Sequence, residues 1–206
     1  MINGINSREM ILEILLEIEE GEHSHVAIRN ALSKYQFLPK QDRAFITRVC
    51  EGTLEYRIQI DYIINSFSKV TVDKMKPAIR EILRSAVYQL KYMDSVPDSA
   101  VCNEAVKLAQ RKGFYNLKPF VNGVLRTIAR EMDQVRFPQK EDDLLKYLSV
   151  KYSMPEVLVT RWLEAYGEET TEKILADFLT EHPLTIRCRT YLNSKEEIVK
   201  SLESQG

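Results

Sequence analysis

Lys76-Pro77-Ala78-Ile79-Arg80-Glu81-Ile82-Leu83-Arg84-Ser85-Ala86-Val87-Tyr88-Gln89-Leu90 decides the fold class. Proline is accommodated at the first position of a helix because its missing N–H has no intrahelical acceptor there. After Pro77, the residues Ile79, Ile82, Leu83, Ala86, Val87 and Leu90 recur at helical spacing and make one apolar face. Lys76, Arg80 and Arg84 fall at i, i+4 and i+8 on a second, cationic stripe. A helix of this kind hides its apolar side against other helices, so the segment predicts a mainly α protein.

The same period recurs outward in both directions. Towards the N-terminus, Ser7 reads as an N-cap, followed by Ile11, Ile14, Leu15 and Ile18 until Gly21. Val26, Ile28, Ala31 and Leu32 form a second segment that stops at Pro39. Asp42 then caps a long run carrying Phe45, Ile46, Val49, Leu54, Ile60 and Ile63. Gly52 lies inside it and costs about 1 kcal/mol against Ala, which implies either a close helix contact or a break nearby. Towards the C-terminus, Asp98 or Ser99 caps a helix with Val101, Ala105, Val106, Leu108 and Ala109 inward, closed by Gly113. Phe120, Val121, Val124, Leu125, Ile128 and Met132 define another helix before Pro138. Three shorter helical pieces come next, one ending near Tyr152, one from Pro155 to Gly167 and one from Thr170, with Trp162 and Tyr166 read as packing.

Composition agrees with this pattern. Seven Gly and seven Pro among 206 residues is about 7%, against about 12% in average usage. The formal net charge is -1, which excludes a globally basic nucleic-acid glove and leaves room for a local basic face. Residues 1–138 hold 20 Lys and Arg against 17 Asp and Glu, whereas residues 139–206 hold 9 against 13, so the sign of the charge changes along the chain. No stretch is apolar enough to cross a bilayer and the start lacks a signal-peptide core, so the expectation is a cytoplasmic protein with no membrane. Cys50, Cys102 and Cys188 are scattered and form neither a disulfide framework nor a metal pair.

Near the end the period changes. Leu184, Ile186, Cys188, Thr190 and Leu192 alternate with Thr185, Arg187, Arg189 and Tyr191 as in a half-buried strand, and Ser194 with Glu197 opens a last helix through a capping box. A lone strand has no ladder partner. The expectation is therefore a truncated α/β subdomain over residues 182–206, the chain being the front part of a longer protein. The alternative is a strand that pairs with the helical domain or with a second copy of the chain. The resulting division is an all-α domain over 1–138, a helical linker over 139–181 and this subdomain.

Chemistry-bearing motifs are few. The glycines form neither G-x-G-x-x-G nor a P-loop, so no cofactor site can be drawn in this chain. His23 and His25 read as surface residues, the cysteines as small buried thiols, and acidic pairs such as Glu19 with Glu20 or Asp142 with Asp143 as solvated helix faces. No catalytic or metal-binding residue is assigned. On the cationic stripe, Lys76 and Arg80 are either polyanion contacts or solvated side chains, whereas Arg84 is expected to brace an acid inside the bundle.

Taken in order, Ser7-Arg8, Asp42-Arg43-Ala44-Phe45, Glu51-Gly52-Thr53, Ile82-Leu83-Arg84 with Tyr88, Asn103-Glu104-Ala105-Val106 and Phe120-Val121-Asn122-Gly123-Val124-Leu125 resemble the NusB antitermination family over about residues 5–130. The continuation through Tyr152-Ser153-Met154-Pro155, Trp162, Tyr166-Gly167 and Pro183-Leu184-Thr185-Ile186-Arg187 resembles the amino-terminal half of the RsmB (Sun or Fmu) ribosomal RNA cytosine-C5 methyltransferases. The resemblance implies an all-α module of two small bundles that holds small-subunit ribosomal RNA. It places S-adenosylmethionine and the catalytic cysteines in a C-terminal domain that this sequence does not contain. It also implies that Arg8, on an N-terminal arm, contributes to RNA binding. A second RNA approach is implied at an Asn122-Gly123 helix start, with Arg111, Lys112, Lys118 and Arg126 adding charge. Arg187 and Arg189 share the polar face of the expected strand and either line RNA or are solvated. The other class of function is a NusB-like antitermination or protein-interaction module without catalysis, acting through a protein partner or as a homodimer.

Overall fold

The computed structural model describes residues 6–180 and 185–204. Helix α1 (Ser7–Glu19) is opened by Asn6, whose side chain accepts from the Arg8 N–H at 2.9 Å. Ser7, expected as the cap, is thus the first helical residue. Helices α2 (Ser24–Lys34) and α3 (Lys40–Glu55) complete a first layer. Asp42 lies within the first turn of α3 rather than at its cap, and Pro39 holds the cap position. The long run expected from Asp42 breaks at Tyr56, and α4 (Arg57–Phe67) continues from there.

Helix α5 (Pro77–Tyr92) starts at Pro77 as its sequence requires and buries Ile79, Ile82, Leu83, Ala86 and Val87. It packs on α1, α3 and α4, and on α6 (Asp98–Arg111) and α7 (Lys118–Glu131). Pro97, not Asp98 or Ser99, occupies the cap position of α6. One apolar core runs through these seven helices and includes Ile11, Leu12, Ile46, Ile63, Leu83 and Leu125. Gly52 sits where α3 crosses α5: a methyl group there would overlap the ring of Tyr88. Close contact explains the glycine, and the break lies a turn later.

Helices α8 (Leu144–Lys151) and α9 (Glu156–Phe178) gather around a second small core of Leu148, Val159 and Leu175. The expected stop at Gly167 is a kink, with φ 73°. Trp162 stacks on Phe178 at 5.7 Å, whereas Tyr166, expected to pack, is 57% exposed. This unit joins the bundle through α4. Gln59 donates to the carbonyls of Val150 and Lys151 at 3.1 and 3.2 Å, the Ile58 N–H donates to Ser153 Oγ at 3.0 Å, and the Tyr62 hydroxyl donates to the Arg136 carbonyl at 2.7 Å.

The expected strand does not form among the described residues. Residues 185–189 carry no ladder and residues 190–192 turn, with the Leu192 N–H donating to the Arg189 carbonyl at 2.9 Å. Tyr191 and Leu192 are exposed. Alternation marks two different faces but supplies no ladder partner, and without one the backbone gains nothing by extending. Glu181, His182, Pro183 and Leu184 lie outside the described residues. The final helix, α10 (Lys195–Glu203), has the expected capping box between Ser194 and Glu197.

Candidate nucleic-acid interface

The cationic stripe of α5 divides into three environments. Arg84 is buried and forks onto Asp61, with Nε to Oδ1 at 2.7 Å and a terminal nitrogen to Oδ2 at 2.6 Å, while its other nitrogen meets Glu81 at 2.6 Å. Burial works against the Arg84 charge, but the hydrogen bonds and charges of Asp61 and Glu81 outweigh it and raise its pKa. This is the internal brace expected of Arg84. Arg80 pairs with Glu19 of α1 and donates to the carbonyls of Val72 and Met75 at 3.2 and 3.3 Å. Glu19 is thus a partner within the bundle, not the solvated acid expected. Lys76 alone stays exposed, its ammonium 5.4 Å from the Phe114 ring in the connection between α6 and α7.

That contact places Lys76 beside the face formed by α6 and α7. Lys118 and Arg126 stand two turns apart on α7 with Asn122 between them, and neutral amides hold both. Lys118 donates to Gln110 Oε1 at 2.8 Å. Arg126 donates to Asn122 Oδ1 at 2.9 Å and to Asn103 Oδ1 at 3.4 Å. Amide oxygens orient these cations without cancelling their charge, unlike the carboxylates that hold Arg80 and Arg84. Arg111 is exposed in the last turn of α6. Among the described residues, Lys76, Arg111, Lys118 and Arg126 have no carboxylate within ion-pair distance.

The Asn122-Gly123 step is not a helix start, because α7 begins at Lys118. The amides there lie inside the helix, so the expected phosphate-binding N-terminus falls a turn earlier than that step. Gly123 is instead an exposed helix-interior glycine with no atom within 4 Å of the place a Cβ would occupy. Sequence reasoning missed Asn103, Gln110, the exposed Tyr115 and the accessible backbone at Gly123. Asn103, Gln110 and the basic residues share helical spacing across two segments, a signal that becomes readable only once α6 and α7 are paired.

The remaining candidates lie elsewhere. Lys112 joins α6 to α1 through Glu9 at 3.1 Å and Glu13 at 3.0 Å, and burial's pull on its charge is outweighed by those acids, which raise its pKa. Arg8 packs over Phe45 at 5.3 Å with its Nε buried, and burial lowers its pKa despite Glu104. It is part of the α1–α3 contact rather than a free arm. Arg187 and Arg189 are exposed, and their side chains make no ion pair among the described residues. A cavity of about 680 Å³ is lined by Tyr56, Tyr88, Tyr92, Glu51, Glu55 and Arg48. Burial, with Glu51 nearby, raises the pKa of Glu55. Two carboxylates at its wall oppose a phosphate backbone, which leaves the α6–α7 face as the better polyanion surface. Cys50 and Cys102 are the buried thiols expected, and burial raises their pKa, whereas Cys188 is only half-buried. Among the described residues no group of three or more His, Cys, Asp or Glu is placed to hold a metal ion, and no helix is long and apolar enough to cross a membrane.

Seven helices around one core make an all-α domain whose α6–α7 pair presents unneutralised cations. The NusB family model matches residues 5–130, and the chain belongs to that family. Over 199 residues, 97% of the chain, it is 32% identical to the probable ribosomal RNA small subunit methyltransferase B of Bacillus subtilis (strain 168), of which it spans 44%. The chain thus covers less than half the length of that relative. The crystal structure of PH0851 superposes with a TM-score of 0.69 at 22% identity, covering 98% of this chain and 45% of that one. A chain from the crystal structure of antitermination factors NusB and NusE in complex with double-stranded RNA superposes with a TM-score of 0.56 at 21% identity, covering 60% of this chain and 93% of that one. Both likenesses concern the fold.

Proposed function

We propose that this chain is the RNA-binding N-terminal part of an S-adenosylmethionine-dependent small-subunit ribosomal RNA (cytosine-C5) methyltransferase, working in the cytoplasm. In this reading residues 1–138 hold RNA, residues 139–181 form a helical linker, and the methyl donor binds outside these residues. The observation that carries it is the α6–α7 face, where Lys118 and Arg126 are held by amides and remain uncompensated. The similarity to methyltransferase B over 97% of the chain supports the choice of substrate class. A second reading, a NusB-like module that acts through a protein partner without catalysis, is supported by the NusB match over residues 5–130 and by the fold shared with a structure of NusB and NusE with RNA.

Titration against labelled small-subunit ribosomal RNA hairpins and a scrambled control, at several salt concentrations, tests the proposal. Lys118→Glu and Arg126→Glu should each weaken binding across sequences, and removal of one phosphate contact lowers the slope of log affinity against log salt by about 1. Lys112→Glu should act differently, lowering the melting temperature by breaking the α1–α6 tie while leaving that slope near wild type. Unchanged affinity in both α7 variants rejects the face. A Gly123→Ala chain separates stability from binding, since alanine favours the helix by up to about 1 kcal/mol while its methyl stands where a phosphate backbone would approach. The expected outcome is a higher melting temperature with weaker RNA binding.

A further inference from the structure

A second cavity, of about 210 Å³, lies at the joint between the bundle and the α8–α9 unit, lined by Gln59, Lys91, Phe137, Pro138, Tyr147 and Lys151. None of these residues belongs to α6 or α7, so the cavity stands apart from the RNA face. The lining residues include two lysines and no Asp or Glu. Lys91 is half-buried, 4.9 Å from the Phe137 ring centroid and 5.6 Å from that of Tyr92, and has no ion-pair partner among the described residues. Burial lowers its pKa with nothing to oppose it. Lys151 lies 4.9 Å from the Tyr147 ring and 4.8 Å from that of Tyr152, donating to the Tyr147 hydroxyl at 2.7 Å and to Glu172 at 2.9 Å. Glu172 is outside the lining and pairs with Lys151, whose side chain is 44% exposed, so the half-buried charge of Lys91 is the unmatched one.

Ring faces attract ammonium groups but compensate a desolvated charge only in part. Two lysines at one small cavity suit a compact anion with several acceptor oxygens, because each ammonium offers three freely rotating donors. A planar carboxylate is better served by the guanidinium fork, which is absent here. The cavity is smaller than the 300–1,000 Å³ usual for extended ligands. Its position is rigid, since Gln59 is fixed by Val150 and Lys151 and the Phe137 ring stacks on Tyr62 at 5.7 Å.

We propose that this cavity is a binding site for a phosphate group, held by the ammonium groups of Lys91 and Lys151. The phosphate is either free or part of an RNA backbone that reaches the joint. The test follows the amide spectrum and melting temperature of the 206-residue chain in inorganic phosphate and in chloride of equal ionic strength. Saturable shifts around Gln59, Lys91, Tyr147 and Lys151, with a higher melting temperature in phosphate alone, are expected. Lys91→Met should abolish both and Lys91→Arg should keep them. Equal response to phosphate and chloride, or saturation that survives in Lys91→Met, overturns the site. Should Lys91→Met fail to fold, acetylation of Lys91 in the wild-type chain gives the answer: phosphate protects it if the site exists, and unaltered labelling refutes it. A short single-stranded RNA, added in a second arm, assigns the source. Competition with phosphate marks a backbone phosphate, and its absence marks a free one.

Discussion

Arg84→Met is expected to destabilise the fold by about 3–5 kcal/mol, the cost of removing one partner from a buried ion pair. Arg84 is 7% exposed and Glu81 3%, so water is poorly placed to replace the bond between them, while the fork onto Asp61 is partly shielded. Methionine keeps the apolar stem and the helix propensity of α5, which isolates the loss of charge. The defect also carries a pH signature. Burial already raises the Glu81 carboxyl, and Arg84 opposes that rise, so the variant should raise it further. A carboxyl whose pKa is raised on folding favours the folded state at low pH, and that contribution is lost as pH rises through the folded value. Urea midpoints should therefore differ more between wild type and Arg84→Met at pH 7.5 than at pH 5. Adding Glu81→Gln to the variant should recover part of the loss at pH 7.5. A loss below about 1 kcal/mol, or one independent of pH, would show that the pair is not desolvated in the way its burial implies.

Helical spacing puts Arg84 on one stripe with Lys76 and Arg80, and the internal brace expected of it is met by Asp61 and Glu81. Other features were legible for equally local reasons, such as Pro77 at the start of α5, Gly113 after α6 and the capping box of α10. What was not legible depends on distant partners. Arg80 and Lys118 look alike along the chain, yet Glu19 of α1 neutralises the first while Gln110 merely orients the second. Lys112 reads as a basic helix end, and only the packing of α1 on α6 makes it a structural tie. The α6–α7 face obeys the same rule: its residues come from two segments that helical periodicity treats separately. The alternation over the described residues 185–192 failed as a strand signal because a strand is stabilised by its neighbour, which a single segment does not report.

The same substitution at two glycines should have opposite signs. At exposed Gly123 alanine relieves a propensity cost, whereas Gly52→Ala is expected to destabilise the fold by about 1–3 kcal/mol, the usual range for forcing an extra methyl into a close contact. That value already overcomes a gain of up to about 1 kcal/mol in helix propensity. The added methyl meets the outer ring carbons and hydroxyl of Tyr88, atoms that would swing away if the ring were free. Tyr88 is only 5% exposed, however, and its ring lies 5.3 Å from Tyr92 and 6.4 Å from Tyr56. Moving it means moving the aromatic ladder between α3 and α5, and Tyr92 is itself tied by its hydroxyl to Gln59 at the joint with α8. Thermal and urea unfolding of Gly52→Ala, Tyr88→Leu and the double variant measure the coupling. Tyr88→Leu opens space for the methyl, so the double variant should be more stable than the sum of the single losses predicts, by on the order of 1–2 kcal/mol. A neutral or stabilising Gly52→Ala would mean that the ladder yields easily and that α3 and α5 do not depend on a glycine to approach each other.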